Sequence, residues 1–420
     1  MEKFRIEGPV VLKGSVEISG AKNAILPLMA ASILMDTPVA FTFVPKVMDV
    51  FTMKELLERL GAHVEWTGNS TILIDPTTIN NPLAPYDIVK KMRASIYVLG
   101  PLLMKFGKAE VSLPGGCAFG PRPVNFHLEG LKKLGADIKL EHGYIKARLK
   151  KPRGAQIVFD KKSVGATIHL MMTASLIPEE TILRNAALEP EVVQVANFLK
   201  RAGVKIYGEG TDTIVINGIK KLNQVEATKV IPDRIETGTF AVAAYMTGGE
   251  VEIKNCIPEH ISPTIEKLEE SGADIVVDGE RLVIKKRKGK IKPLFIYTQP
   301  FPGFPTDMQA QFMAMLSVAD GTSTIKEGIY PDRFLHAFEL IRLGADIKVE
   351  DGTAIINGVP RLTGAPVMAS DLRASASLVL AGLIAEGTTI IDRIYHLDRG
   401  YEDFEHKLNS LGAKIERFHG

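Results

Sequence analysis

At 420 residues the chain exceeds what one hydrophobic core usually supports, so two domains are expected. An apolar content of 45% is that of an ordinary globular protein. A formal net charge of +2 offers no bulk attraction for nucleic acid or an anionic membrane, so neither is expected as a partner, and nothing points to an obligate protein partner.

The opening "MEKFRIEGPV" has no apolar core of the kind a secretory signal needs, and apolar stretches such as "ILPLMAASILM" fall well short of a bilayer span. A cytoplasmic protein is expected. Its two cysteines, Cys117 and Cys256, lie far apart, which argues against a disulfide framework. Cys256, in the strand-like "EVEIKNCIPEH", reads as a buried structural thiol.

In chain order, one phrase recurs six times: "LGAHV" at Leu60, "LGADI" at Leu134, "RAGVKI" at Arg201, "SGADI" at Ser271, "LGADI" at Leu343 and "LGAKI" at Leu411. A spacing of about 70 residues marks an internally repeated architecture. An amphipathic helical pattern precedes each copy, as in "MKELLERL" and "HLEGLKKL", so the glycine reads as a helix C-cap. Alternating or β-branched runs follow, such as "STILID", "YIKARL" and "TIVING".

Each unit also holds a second helical segment that is apolar or small on almost every face: "NAILPLMAASILM", "MRASIYVLGPLLM", "SVGATIHLMMTASLI", "RIETGTFAVAAYM", "DMQAQFMAMLSVA" and "DLRASASLVLAGLIA". Such helices are expected to be buried on all sides. The unit therefore reads as strand, buried helix, strand, surface helix and two strands.

The sixth copy reaches Gly420 without its last strand, and the beginning of the chain offers one. "RIEGPVVLKGSVEISGAKNA" matches "IINGVPRLTGAPVMASDLRA", with Gly8 against Gly358 and Gly14 against Gly364. Two similar α/β domains of three units each are expected, one over residues 21–230 and the other over residues 1–20 with 231–420.

The buried helices begin on unusual residues: Lys22 with Asn23, Arg93, Lys161 with Ser163, Asp233 with Arg234, Asp307, and Asp371 with Arg373. A cation there opposes the positive end of the helix dipole unless an anion binds against it. A blander alternative pairs Arg234 with Asp233 and Arg373 with Asp371. Arg122 lies on a glycine-rich loop, and Arg399 follows the last buried helix in "HLDRGYED".

No CxxC pair, HExxH, P-loop, Rossmann glycine motif or G-x-S-x-G elbow occurs, so no metal or organic cofactor is expected. A lone histidine such as His169, in an apolar helix, reads as a satisfied core residue.

The segments "GAKNA", "PGGC" followed by "RPV", "KKSVGAT", "EPE", "PDRIETGTF", "FPTDMQAQF", "DLRASASLVLAGLIAEGTTI" and "RIYHLDRGYE" resemble, in order and over the whole chain, the enolpyruvyl transferase family, in its branch that acts on UDP-N-acetylglucosamine. The resemblance implies a pair of inside-out α/β barrels with the substrates between the domains and a mobile cysteine loop over about residues 112–126. It implies transfer of the enolpyruvyl group of phosphoenolpyruvate to the 3-hydroxyl of UDP-N-acetylglucosamine by addition and elimination, with loss of phosphate. That reaction is the first committed step of peptidoglycan synthesis.

Carried over by position, Lys22, Arg122 and Arg399 would hold the phosphate and carboxylate of phosphoenolpyruvate. Asn23, Arg93 and Arg373, the last beside Asp371, would join them. Arg122, Pro123, Val124, Asn125 and Phe126 would contact the uracil, and Lys161, Ser163, Val164 and Gly165 the diphosphate. Asp307 and Ile329 would contact the sugar, with Asp307 taking the proton of the attacking hydroxyl. Cys117 would deliver a proton to the methylene carbon or form a covalent adduct, and an epoxide such as fosfomycin would alkylate it. A thiol acid suits a loop that closes after substrate binds, with glycines as its hinge.

Two departures stand out. Asn125 occupies a position where the family commonly has Asp, and "PDR" at Arg333 replaces a common Glu-Asn-Arg. The nearest rival, the sister transferase acting on shikimate 3-phosphate, lacks the loop cysteine and has Ser-Lys-Ser where this chain has "AKN". A non-catalytic six-unit clamp around DNA needs basic helices lining a hole, and these helices carry mixed charge or almost none.

Overall fold

All six glycines of the recurring phrase, Gly61, Gly135, Gly203, Gly272, Gly344 and Gly412, have φ between 93° and 104°. A Cβ is disfavoured there, so glycine ends each outer helix and turns the chain into the next strand. The computed structural model describes residues 2–114 and 124–420. Over these the chain divides into two units, residues 20–114 with 124–231, and residues 2–19 with 232–420.

Each unit is built around three inner helices. In the first they are Lys22–Ala31, the 3-10 turn Arg93–Val98 running into Leu99–Phe106, and Val164–Ala174. In the second they are Arg234–Met246, Gln309–Leu316 entered through the 3-10 turn Thr306–Met308, and Leu372–Ile384. Nearly every residue of five of these helices is buried, as their uniformly apolar character predicts, and the second keeps only its middle, Val98–Leu103, wholly buried. The second inner helix departs from a continuous helix because Pro101 lacks an N–H and its ring disfavours the α conformation in the preceding residue.

Among the described residues there are six four-stranded sheets, and none closes on itself. All six share one pattern: a parallel edge pair, then two antiparallel pairs, as in Gln156–Val158, Glu180–Arg184, Thr213–Asn217 and Lys205–Tyr207. The sixth keeps it by using the start of the chain: Glu2–Gly8 pairs antiparallel with both Gly387–Asp392 and Ile415–His419. Lys13–Glu17 then lies parallel to Glu250–Lys254. In the other unit Thr228–Lys229 performs the same service for Val39–Thr42.

The match of Gly8 with Gly358 has a steric cause. A Cβ on Gly8 would fall 2.4 Å from the carbonyl oxygen of Ala385, and one on Gly358 1.7 Å from that of Ala319. Both oxygens lie just beyond inner helices, so each glycine lets a strand pass close to a helix end. Cys256 is fully buried, with Sγ directed at the carbonyls of Ile253 and Glu280, and burial pushes its thiol up to about 11. No described helix is long and apolar enough to cross a membrane.

Candidate active site

In the unit of residues 20–231, three inner-helix starts carry predicted site residues. Lys22 opens a helix whose N-cap, Ala21, makes no side-chain cap. Its Nζ lies 3.1 Å from Asp49 Oδ2, and both side chains are largely buried. The carboxylate offsets part of the conflict between the lysine and the helix dipole. Asn23 follows, half-buried.

Arg93 begins the 3-10 turn that feeds the second inner helix, and its charge acts on Tyr97 and His127. Burial pushes the Tyr97 hydroxyl up, the carboxylates of Glu191 and Glu189 add to the shift, and Arg93 opposes it. Ser163 caps the third helix by accepting from the Ala166 N–H at 3.2 Å, while Val164 and Gly165 form its first turn. Lys161 stands exposed before it. His127 closes over this helix start: a Cβ on Gly165 would sit 3.3 Å from its Nε2 and 3.9 Å from the Tyr97 hydroxyl. Arg93, Tyr97, His127 and Gly165 thus share one neighbourhood. Val124 is the N-cap of helix Asn125–Lys133, where Asn125 is exposed and Phe126 meets the Phe159 ring edge-on.

In the other unit Asp307 sits in the 3-10 turn Thr306–Met308, its side chain 29% exposed. Arg333 Nη1 donates to its Oδ1 at 2.7 Å, and Arg373 Nη2 to its Oδ2 at 3.2 Å. Burial alone would raise this carboxyl. The charges of Arg373 and Arg333, the Arg333 hydrogen bond and the charge of Arg234 overturn that and hold it well below the usual carboxylate range.

Arg373 and Arg333 are both almost fully buried, and Arg373 also lies over the Tyr401 ring at 5.4 Å. Asp371 spends one carboxylate oxygen, Oδ1, on the backbone N–H groups of Arg373 and Ala374. The alternative pairing of Arg373 with Asp371 is therefore replaced by one between Arg373 and Asp307. Asp233 likewise caps its helix through Ile235 and Glu236. Ile329 is half-buried, and its N–H donates to Glu327 Oε1 at 2.9 Å. Arg399 is half-buried in the turn after the last inner helix and lowers the basicity of the nearby His396, where burial is the larger cause.

A sequence profile described as EPSP synthase (3-phosphoshikimate 1-carboxyvinyltransferase) matches residues 6–408. The chain belongs to this enolpyruvyl transferase family. Proteins named UDP-N-acetylglucosamine 1-carboxyvinyltransferase from Enterobacter cloacae and Proteus mirabilis are each 53% identical to it, covering all of this chain and 100% and 99% of theirs. The enolpyruvyl transferase NikO from Streptomyces tendae shares the fold at a TM-score of 0.91, with 24% identity over 100% of this chain and 99% of that one.

For an enolpyruvyl transferase, the informative residues include several that the sequence does not single out. Asp49 reads as an ordinary acid in a first helical turn, and only the folded chain sets it against Lys22. Glu327 accepts from Thr298, Thr306, Ile329 and Tyr330, and so fixes the loop leading to Arg333. Arg333 is visible in the sequence only as the end of "PDR". Cys117, Arg122 and Pro123 lie outside the described residues.

Replacing Arg333 with Gln removes one of the two guanidinium groups on Asp307. The carboxyl then protonates at a higher pH, so in the Arg333→Gln variant the acid pH at which Asp307 titrates, followed by the NMR signal of its carboxyl carbon, should move upward. A titration curve superimposable on that of the wild type would show that Arg333 does not tune Asp307.

Proposed function

We propose that this enolpyruvyl transferase acts on UDP-N-acetylglucosamine, joining the enolpyruvyl group of phosphoenolpyruvate to its 3-hydroxyl and releasing phosphate. The observation that carries this reading is the 53% identity, over the full length of both chains, with proteins named for that reaction. Cys117 in "PGGC" and "AKN" at the first helix start separate the chain from the shikimate-dependent sister.

Two charge patterns suit the chemistry. Lys22 and Arg93 stand at inner-helix starts in one unit; in the other, Arg373 and Arg333 hold Asp307, while Arg399 and Asp371 both act on His396. Phosphoenolpyruvate is a polyanion whose carboxylate and phosphate such groups can hold, favouring positive character at its central carbon. Lys22, Arg122 and Arg399 take these roles, together with Asn23, Arg93 and Arg373.

The nucleotide lies on Arg122 to Phe126 through its uracil and on Lys161 and Ser163 to Gly165 through its diphosphate. The sugar lies at Asp307 and Ile329. In the addition step the sugar 3-oxygen bonds to the central carbon, Asp307 accepts the hydroxyl proton, and Cys117 protonates the methylene carbon. In the elimination a methyl proton leaves, the carbon–phosphate oxygen bond breaks, and the double bond returns.

Asp307 carries the charge a base needs, but the arginines make it a weak one. Binding of a polyanion beside Arg373 draws that guanidinium's charge away and raises the basicity of Asp307 when substrate is present. The product commits its sugar to peptidoglycan in the cytoplasm, and an epoxide of the fosfomycin type blocks the reaction at Cys117. Mass analysis of the nucleotide after incubation with both substrates tests the assignment: one added enolpyruvyl group is expected, and unaltered UDP-N-acetylglucosamine contradicts it.

A further inference from the structure

A pair of histidines links the second and third inner helices of residues 20–231. Gly100 N–H donates to His169 Nε2 at 2.7 Å. The 3-10 to α junction leaves this amide available, whereas a continuous α-helix would direct it to the carbonyl four residues earlier. The other nitrogen of His169, Nδ1, lies 3.1 Å from Nδ1 of His127, with the ring centroids 5.0 Å apart.

These contacts determine where the protons are. A backbone amide can only donate, so His169 Nε2 is an acceptor, and a neutral imidazole then carries its single proton on Nδ1. That proton is donated to Nδ1 of His127, which leaves His127 with its own proton on Nε2. A charged ring at His127 would set two N–H groups against each other. Burial, the first cause, lowers His127 well below its usual range, with His169 and Arg93 adding to it, and burial takes His169 to about 3, so the pair stays neutral.

His127 Nε2 points at the start of helix Val164–Ala174, 3.3 Å from the place a Gly165 Cβ would fill. His127 is 5% exposed and His169 0%, so neither ring has room to turn. No described residue accepts from Nε2. The helix-start amides of Val164 and Gly165 have no partner one turn earlier within the helix. A nearly buried, oriented donor therefore meets a helix N-terminus across a glycine whose Cβ would crowd it.

We propose that His169 is a positioning residue that fixes His127 as the Nε2–H tautomer, giving this helix mouth a neutral donor to an oxygen of the nucleotide-sugar diphosphate. The inference rests on reading Ser163 to Gly165 as the diphosphate site. It gives His169, a core residue by its sequence context, a part in substrate binding that it plays through His127.

The test uses the full-length protein with 15N-labelled histidine, with His127→Gln and His169→Gln spectra for assignment. Long-range 1H–15N spectra should show His169 protonated at Nδ1 and His127 at Nε2, and added UDP should shift His127 Nε2. His169→Leu should raise KM for UDP-N-acetylglucosamine about tenfold, the worth of one hydrogen bond, with kcat and KM for phosphoenolpyruvate within about twofold. His169→Gln, whose amide can accept from Gly100 and donate to His127, should recover most of that loss.

Protonation of His169 at Nε2, or a His127 signal indifferent to UDP, overturns the inference, as does a folded His169→Leu variant with unchanged KM. If His169→Leu does not fold, the wild-type spectra and the UDP titration still decide. Absence of turnover by the wild type would overturn the functional reading instead, and the spectra do not depend on turnover.

Discussion

Asp307→Asn is expected to lower kcat by roughly a hundred- to ten-thousand-fold, the range of a lost general base, while the protein remains folded. The side chain is held by Arg333 at 2.7 Å and Arg373 at 3.2 Å, so its oxygens are fixed in place. An amide keeps the shape and one acceptor oxygen but cannot take a proton. It also turns an NH2 group toward a guanidinium, so thermal unfolding should accompany the kinetics to separate a stability loss from a chemical one.

The pH dependence follows from the direction of the shift. The folded-state pKa of Asp307 is depressed, so its stabilising contribution is present above the ordinary carboxylate value of about 3.9 and disappears as pH falls through the folded value. In the free enzyme Asp307 stays ionised throughout the neutral range and contributes no acid limb to kcat/KM there. Any limb near neutrality belongs to another group. A turnover profile unchanged in level and shape by Asp307→Asn would remove this residue from the reaction.

Cys117→Ser should lower turnover by a factor of the same order, because an alcohol is a much weaker proton donor than a thiol. The same change should abolish alkylation by an epoxide. Intact mass is a clean readout because the other thiol, Cys256, is fully buried and pushed up to about 11. One adduct on the wild type and none on the variant is the expected pair of results. Undiminished turnover in Cys117→Ser would leave the cysteine as a site of inhibition without a part in the chemistry.

Much of the fold is legible because its signals are local. The six helix-ending glycines need a left-handed φ, and the inner helices are apolar on every face, so both stand out in short windows of sequence. The use of residues 2–8 to complete the last sheet could be read from Gly8 and Gly358 because the same close approach to a helix end recurs at both. The split of the second inner helix was signalled by Gly100-Pro101, but the apolar pattern around it carries through and hides the break.

The candidate site stands out in the sequence where cations interrupt a helix start, as at Lys22, Arg93 and Arg373, since each breaks a local electrostatic rule. Its partners do not. Asp49 lies 27 residues from Lys22, and Arg333 lies 26 from Asp307, and neither spacing has a helical or strand period. The pairing of Arg373 with Asp307 shows the same limit: Asp371 is nearer in sequence, but its oxygen is committed to capping the helix. His127 and His169 look like two unrelated histidines until the third helix sets their rings together.

The most direct measurement is phosphate release from purified protein given phosphoenolpyruvate, run in parallel with UDP-N-acetylglucosamine and with shikimate 3-phosphate as acceptor. Release with UDP-N-acetylglucosamine alone is the expected result. Release with shikimate 3-phosphate, or with neither acceptor, would contradict the assignment.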